Sequence, residues 1–138
     1  MTERDRRRSF NEGRTSFRRP ESVLVVIHTR SLDCLLLERI EPAGFWQSVT
    51  GSLGWDETVL AAARREVREE TGIDASALRS TGITQRFPIL PQWRARYEPG
   101  VAENTEHLCY LELAERCPVT LNPAEHRAYR WLPLADAI

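Results

Sequence analysis

The chain contains no lysine; all of its basic side chains are arginines. That excludes a Schiff-base lysine and the lysine of a phosphate-binding P-loop. Cysteine is scarce. Cys34, Cys109 and Cys117 are odd in number and lack C-x-x-C spacing. A zinc site or a disulfide framework is therefore set aside in favour of reduced, partly buried thiols. No apolar run reaches the length of a membrane span, and the N-terminal stretch has no apolar centre of a signal peptide. These features predict a cytoplasmic protein with no membrane partner. Charge of one sign is missing overall, because the formal net charge is −1, but it is unevenly spread. Residues 1–19 hold seven Arg against three acids, which leaves twelve Arg against seventeen acids in the remainder. Residues 1–17 read as a flexible Arg-rich tail, solvated rather than bound to nucleic acid. Residues 18–138 read as one domain with one core, as a chain of 138 residues favours.

What is present is mostly strand. "SVLVVIH" (22–28) is rich in β-branched residues, and "CLLLER" (34–39) reads as its hairpin partner after the turn "SLD". "FWQSVTG" (45–51) alternates like one short strand. Further strands are expected near 79–87, 93–98, 105–113 and 126–132. One strong helix is expected from Val59 to Thr71, capped by Asp56 or Thr58 and ended by Gly72. "PLADAI" reads as the first turn of a second helix, so substrate contacts from a longer helix are expected to be missing. The pattern predicts an α/β domain with a mixed sheet.

The central helix carries a local conflict. At about 100° per residue, Val59, Leu60, Ala63, Val67 and Thr71 share a core-facing arc. Arg64, Arg68 and Ala61 fall opposite and are expected to face water. Glu66 and Glu70 lie at the edge of the buried arc, about 40° apart, with Glu69 further round. Like charges four residues apart destabilise a helix, and desolvation near a core raises carboxyl pKa values. Two readings follow: a solvated charged face, or carboxylate oxygens converging on a hard divalent cation such as Mg2+ or Mn2+.

The surrounding spacing decides between them. Gly51, five residues, Glu57, seven residues, Arg65-Glu66-Val67, one residue, Glu69-Glu70, one residue and Gly72-Ile73 resemble the Nudix box at all nine fixed positions. The resemblance implies the Nudix fold, an α/β/α sandwich with a mixed central sheet. It also implies metal-dependent hydrolysis of a diphosphate linkage in a small molecule. By the family's pattern Glu66 and Glu70 are principal metal ligands. Glu69 is an accessory ligand or proton acceptor, and Gly51 offers a backbone carbonyl. The choice of general base between Glu69 and Glu70 stays open. Glu57 and Arg65 are implied to brace the box as an ion pair.

Flanking blocks narrow the resemblance. "RRPESVLVVIH", "FWQSVTGSL", "RYEPGVAENTEH" and "AEHRAYRWL" resemble bacterial dihydroneopterin triphosphate diphosphatases over most of residues 18–132. The implied reaction releases pyrophosphate from dihydroneopterin triphosphate in folate biosynthesis. The alternatives are a nucleoside triphosphate pyrophosphohydrolase acting on dATP or oxidised dGTP, and a non-catalytic nucleotide sensor. Arg18 and Thr50 match substrate-contacting positions, and Glu125 matches a distant glutamate opposite the box helix. Arg39 is expected to hold phosphate, with Arg94 and Arg96 as weaker choices. Phe45, Trp46, Phe87 and Trp93 are possible walls of a pterin slot, with core packing as the rival reading for each. His107 and His126 read as structural. Trp55 departs from the small or polar residue common at that place in the box.

Overall fold

The computed structural model describes residues 17–137. All but the last residue of the Arg-rich tail lies outside them. Seven strands form one sheet: β1 (Glu21–Thr29), β2 (Asp33–Arg39), β3 (Trp46–Gln47), β4 (Val49–Ser52), β5 (Arg79–Pro88), β6 (Glu103–Leu113) and β7 (His126–Pro133). The main path runs β3-β2-β1-β6-β5, with β4 paired to β1 and β7 paired to β2. β1 and β6 are parallel, and the other pairs are antiparallel. The sheet is therefore mixed, as the pattern predicts. Helix α1 (Val59–Thr71) packs on β4 and β1, and the short α2 (Leu134–Ala137) packs on β2 and β7. Among the described residues no helix is long and apolar enough to cross a membrane.

The strand alternation of β1 buries Val23, Val25 and Ile27. They join Leu35, Leu37 and Val49 and the α1 residues Ala62, Ala63 and Val67 in one core. Burying each valine, leucine or isoleucine of this core contributes about 1.5–3 kcal/mol, and each alanine about 0.8 kcal/mol. That contribution holds α1 against the sheet despite its crowded acids. Thr58 caps the helix, its side chain accepting from Ala61 N–H at 3.2 Å. Gly72 ends it with φ +70°, a left-handed conformation that favours glycine.

The structure corrects the sequence reading in four places. "FWQSVTG" is two strands, β3 and β4, because Trp46–Gln47 pairs with β2 while Val49–Ser52 pairs with β1. The strand expected at 93–98 is instead a 3-10 turn, Pro91–Arg96. Pro91 at its start fixes φ and withholds a ladder donor, whereas the alternating Trp and Arg mimic a strand's period. Arg64 is half-buried rather than turned fully to water. Glu70, at the edge of the apolar arc, is more deeply buried than that position suggests, with 3% of its surface exposed.

Candidate active site

The loop entering α1 is braced by arginines. Arg65 makes a two-pronged ion pair with Glu57, Nε to Oε2 and Nη2 to Oε1, both at 2.8 Å. It also donates to Ser52 O at 3.1 Å, to Glu66 Oε1 at 2.8 Å and to Glu69 Oε2 at 3.3 Å. Glu57 in turn accepts from Gly54 N–H at 2.7 Å. The Arg65 hydrogen bonds hold the Glu57 carboxyl below its ordinary pKa, despite partial burial. Arg19 was missed by the sequence reading. Its Nη1 donates to the carbonyls of Gly54, Trp55 and Glu57. Trp55 Nε1 donates to Phe17 O at 2.9 Å, so the unusual box residue fastens the loop to the segment before β1. No spacing rule in the sequence links residue 19 to a loop 35 residues later.

With the loop fixed, Glu66 and Glu70 project from α1 into a cleft of about 1150 Å3. Glu125, on the loop before β7, and His126, at its first residue, face them across it. One ligand atom each from Glu70, Glu125 and His126 lies within 4.8 Å of the others. Burial, then the charges of Glu66 and Glu125, push the Glu70 carboxyl up to about 9. Its Oε2 is buried with no hydrogen-bond partner. Burial also raises Glu66, with Arg65 opposing. His126 is lowered by burial and is therefore neutral at pH 7; its Nδ1 is buried without a partner. Glu70 Oε2, without a partner, and the charges of Glu66 and Glu125 around it concentrate negative charge in a buried place, and this oxygen-rich set fits a divalent cation. His126, read from sequence as structural, belongs to this cluster.

The cleft brings together most of the residues expected from sequence. Gly51, Thr50, Arg18, Arg39, Phe45, Phe87, Trp93 and Arg96 all line it. Three expected residues do not. Glu69 is half-exposed beside Arg65 and outside the cleft. Arg94 turns to Ile89 O. Trp46 is not part of the lining: strand alternation in β3 sends Gln47 to the cleft, where its Nε2 lies 3.4 Å from His126 Nε2, while the Trp46 ring is covered by Arg130 at 4.6 Å. His107 is tied to Glu21 at 2.8 Å, away from the cleft.

A mixed sheet, a glutamate-rich helix braced by arginine and a second acid facing it across an arginine-lined cleft suit a protein that holds a divalent cation beside an anionic ligand. Residues 18–138 match the NUDIX domain model, so the chain belongs to the NUDIX hydrolase family. It is 43% identical over 129 residues to the dihydroneopterin triphosphate diphosphatase of Escherichia coli, covering 88% of this chain and 85% of that protein. The Haemophilus influenzae protein of the same name is 36% identical, with 88% and 79% covered. The solved structure of the E. coli dihydroneopterin triphosphate pyrophosphohydrolase superposes with a TM-score of 0.77 at 41% identity, covering 88% of this chain and 85% of that one.

The brace makes its own prediction. Arg65→Ala leaves Glu57 unpaired and frees the Glu66 carboxylate. Because Arg65 is one-third exposed, solvent softens the loss to about 1–3 kcal/mol of stability. Activity should fall with it. Melting curves and kcat together check this; unchanged melting with lost activity would instead make Arg65 a phosphate contact.

Proposed function

We propose that this protein hydrolyses 7,8-dihydroneopterin 3′-triphosphate to the monophosphate and pyrophosphate, with Mg2+ as the physiological metal and Mn2+ as a substitute. The bond cleaved is the anhydride between the α- and β-phosphates, with water as the other reactant. The observation that carries the reading is a single cleft joining the Glu70–Glu125–His126 cluster to arginines and aromatic side chains. Its size suits a bicyclic ring with a triphosphate. The names of the relatives above support the substrate.

Glu66, Glu70 and Glu125 would hold the metal, with His126 and the Gly51 carbonyl completing its surroundings. When bound, the metal neutralises phosphate charge and lowers the pKa of water. The protein's own groups do the rest. Arg18, Arg39 and Arg96 line the cleft as phosphate partners, for which a guanidinium's forked donors are suited. Thr50 offers a hydroxyl beside Gly51. Phe87, Phe45 and Trp93 are 41–50% exposed, which suits faces that are covered when a ring enters. Glu69, outside the cleft, tethers Arg65 and is not assigned to the reacting atoms. Residues 18–138 act as the catalytic domain, and the Arg-rich tail is given no partner. A highly charged substrate that does not cross membranes argues for action in the cytoplasm.

The test is Mg2+-dependent pyrophosphate release from dihydroneopterin triphosphate, compared with dATP and oxidised dGTP. A kcat/KM at least about tenfold higher for the pterin is expected, a size that ring-specific contacts supply. A higher value for either nucleotide would move the assignment to a nucleoside triphosphate enzyme. No hydrolysis of any of them would favour a ligand sensor.

A further inference from the structure

The start of β6, within "AENTEH", lies apart from the metal cluster yet forms part of the cleft wall. Asn104 and Glu106 stand two residues apart on one face of β6 and both line the cleft. They are 5% and 8% exposed. The sheet register sets Glu106 between Ser22 of β1 and Gln85 of β5, and sets Asn104 opposite Phe87. Gln85 Nε2 donates to Glu106 Oε1 at 2.7 Å, and Asn104 Nδ2 donates to Ser22 Oγ at 2.8 Å. Among the described residues Glu106 has no ion-pair partner and no donor on Oε2.

With Oε1 held by a neutral partner and Oε2 not among the buried orphaned atoms, this carboxylate on the cleft wall can accept further donors from a ligand. A phosphate cannot supply them, because the two anions repel. The occupant must present N–H donors and little negative charge. It must also be flat enough to lie against Phe87, the in-register neighbour of Asn104. A heterocycle carrying an amino group beside a ring N–H meets both demands, since two parallel N–H groups match a carboxylate as a guanidinium does.

We propose that Glu106 reads the amino and adjacent ring N–H of a 2-amino-4-oxo heterocycle, held in place by Gln85 and backed by Asn104 on Ser22. The proposal rests on the reading that the cleft takes a heterocyclic triphosphate. It makes Glu106 the residue that sets ring specificity. Pterin and guanine share the edge it reads; adenine presents a ring acceptor there and is rejected. Hypoxanthine keeps the ring N–H and lacks the amino group.

The experiment measures kcat/KM for dihydroneopterin triphosphate, dGTP, dITP and dATP with the wild type and with Glu106→Gln. The three nucleotides share sugar and triphosphate and differ at the edge in question. For the wild type, dGTP should exceed dITP by about tenfold and dATP by more, the scale of a hydrogen bond to a charged group. Glu106→Gln should lower the pterin and dGTP values by about 10–100-fold, leave dATP within about twofold and erase the dGTP preference over dITP. Equal losses on every substrate, or a wild type indifferent to dGTP, dITP and dATP, overturns the proposal. If Glu106→Gln does not fold, the wild-type comparison of dGTP with dITP decides alone. Edge discrimination with no hydrolysis of dihydroneopterin triphosphate would keep the proposal while removing the pterin as substrate.

Discussion

Glu70→Gln should abolish most activity and at the same time stabilise the metal-free protein. The two effects have one cause. Glu70 is 3% exposed, sits against Glu66 and Glu125, and has an oxygen with no partner. Its carboxyl is pushed from an ordinary value of 4.5 up to about 9. The unfolded chain ionises near the lower value and the folded metal-free chain near the higher one. Between them the folded state binds the extra proton, so stability falls as pH rises through this window and levels off above it. The slope reaches at most about 1.4 kcal/mol per pH unit for one proton. Glu66, also raised, adds to the same trend. The glutamine is neutral and nearly isosteric, so the variant's melting temperature should be higher than the wild type's at pH 8 without metal and should fall less steeply from pH 5 to 8.5, with Glu66 leaving a residual slope. Saturating Mg2+ should reverse the order, because only the wild type gains the ligand's stabilisation. The same titration makes metal binding release a proton near neutral pH, so affinity should climb with pH toward 9. The variant's kcat should fall at least about a hundredfold, on the scale of losing a metal ligand or base. A metal-free wild type with pH-independent melting, or a variant within threefold of wild-type activity, would refute this account of Glu70.

The box and the helix were legible because their signals are local. Cap, terminator, hydrophobic arc and acid spacing all lie within 23 residues, and the Glu57–Arg65 pair follows from two fixed positions in the same run. The burial of Glu70 was not legible. The helical wheel sets it at the edge of the apolar arc, and only the loop carrying Glu125, with His126 at the start of β7, faces that edge. That loop is brought there by β7 pairing with β2, a contact spanning about ninety residues of chain. The parallel pairing of β1 with β6 is equally remote in sequence, so the Glu106 wall between Ser22 and Gln85 left no trace in any window. Trp46 failed for a different reason. Its place in a family-like block drew it to the substrate, yet a two-residue strand obeys the period of two. Its neighbours Phe45 and Gln47 took the cleft, and Arg130 took the Trp46 face.

Gly51→Ala should cost nearly as much activity as removing the charge of Glu66. Gly51 lies in β4 opposite Val23, with no left-handed conformation to accommodate, so the backbone itself tolerates alanine. The obstacle is contact. A Cβ at this position would overlap Cγ, Cδ and Oε1 of Glu66. Because Cγ is included, a turn of the carboxyl group alone gives no relief. The whole side chain must leave its rotamer, and its head is tied to Arg65 at 2.8 Å. The added methyl therefore expels the Glu66 carboxylate from the cleft and strains the arginine brace. The kcat should fall at least about a hundredfold, with a smaller change in melting. The family pattern offers Gly51 a second role, its carbonyl as a metal ligand. A double-substitution cycle separates the two. If the glycine matters only by leaving room for Glu66, Gly51→Ala combined with Glu66→Gln should be no worse than Glu66→Gln alone, because groups acting as a unit are strongly non-additive. If the losses multiply, the added methyl does harm beyond displacing Glu66, as a shift of the β4 backbone that carries the Gly51 carbonyl would, and room for Glu66 is then not the sole reason this position carries no side chain.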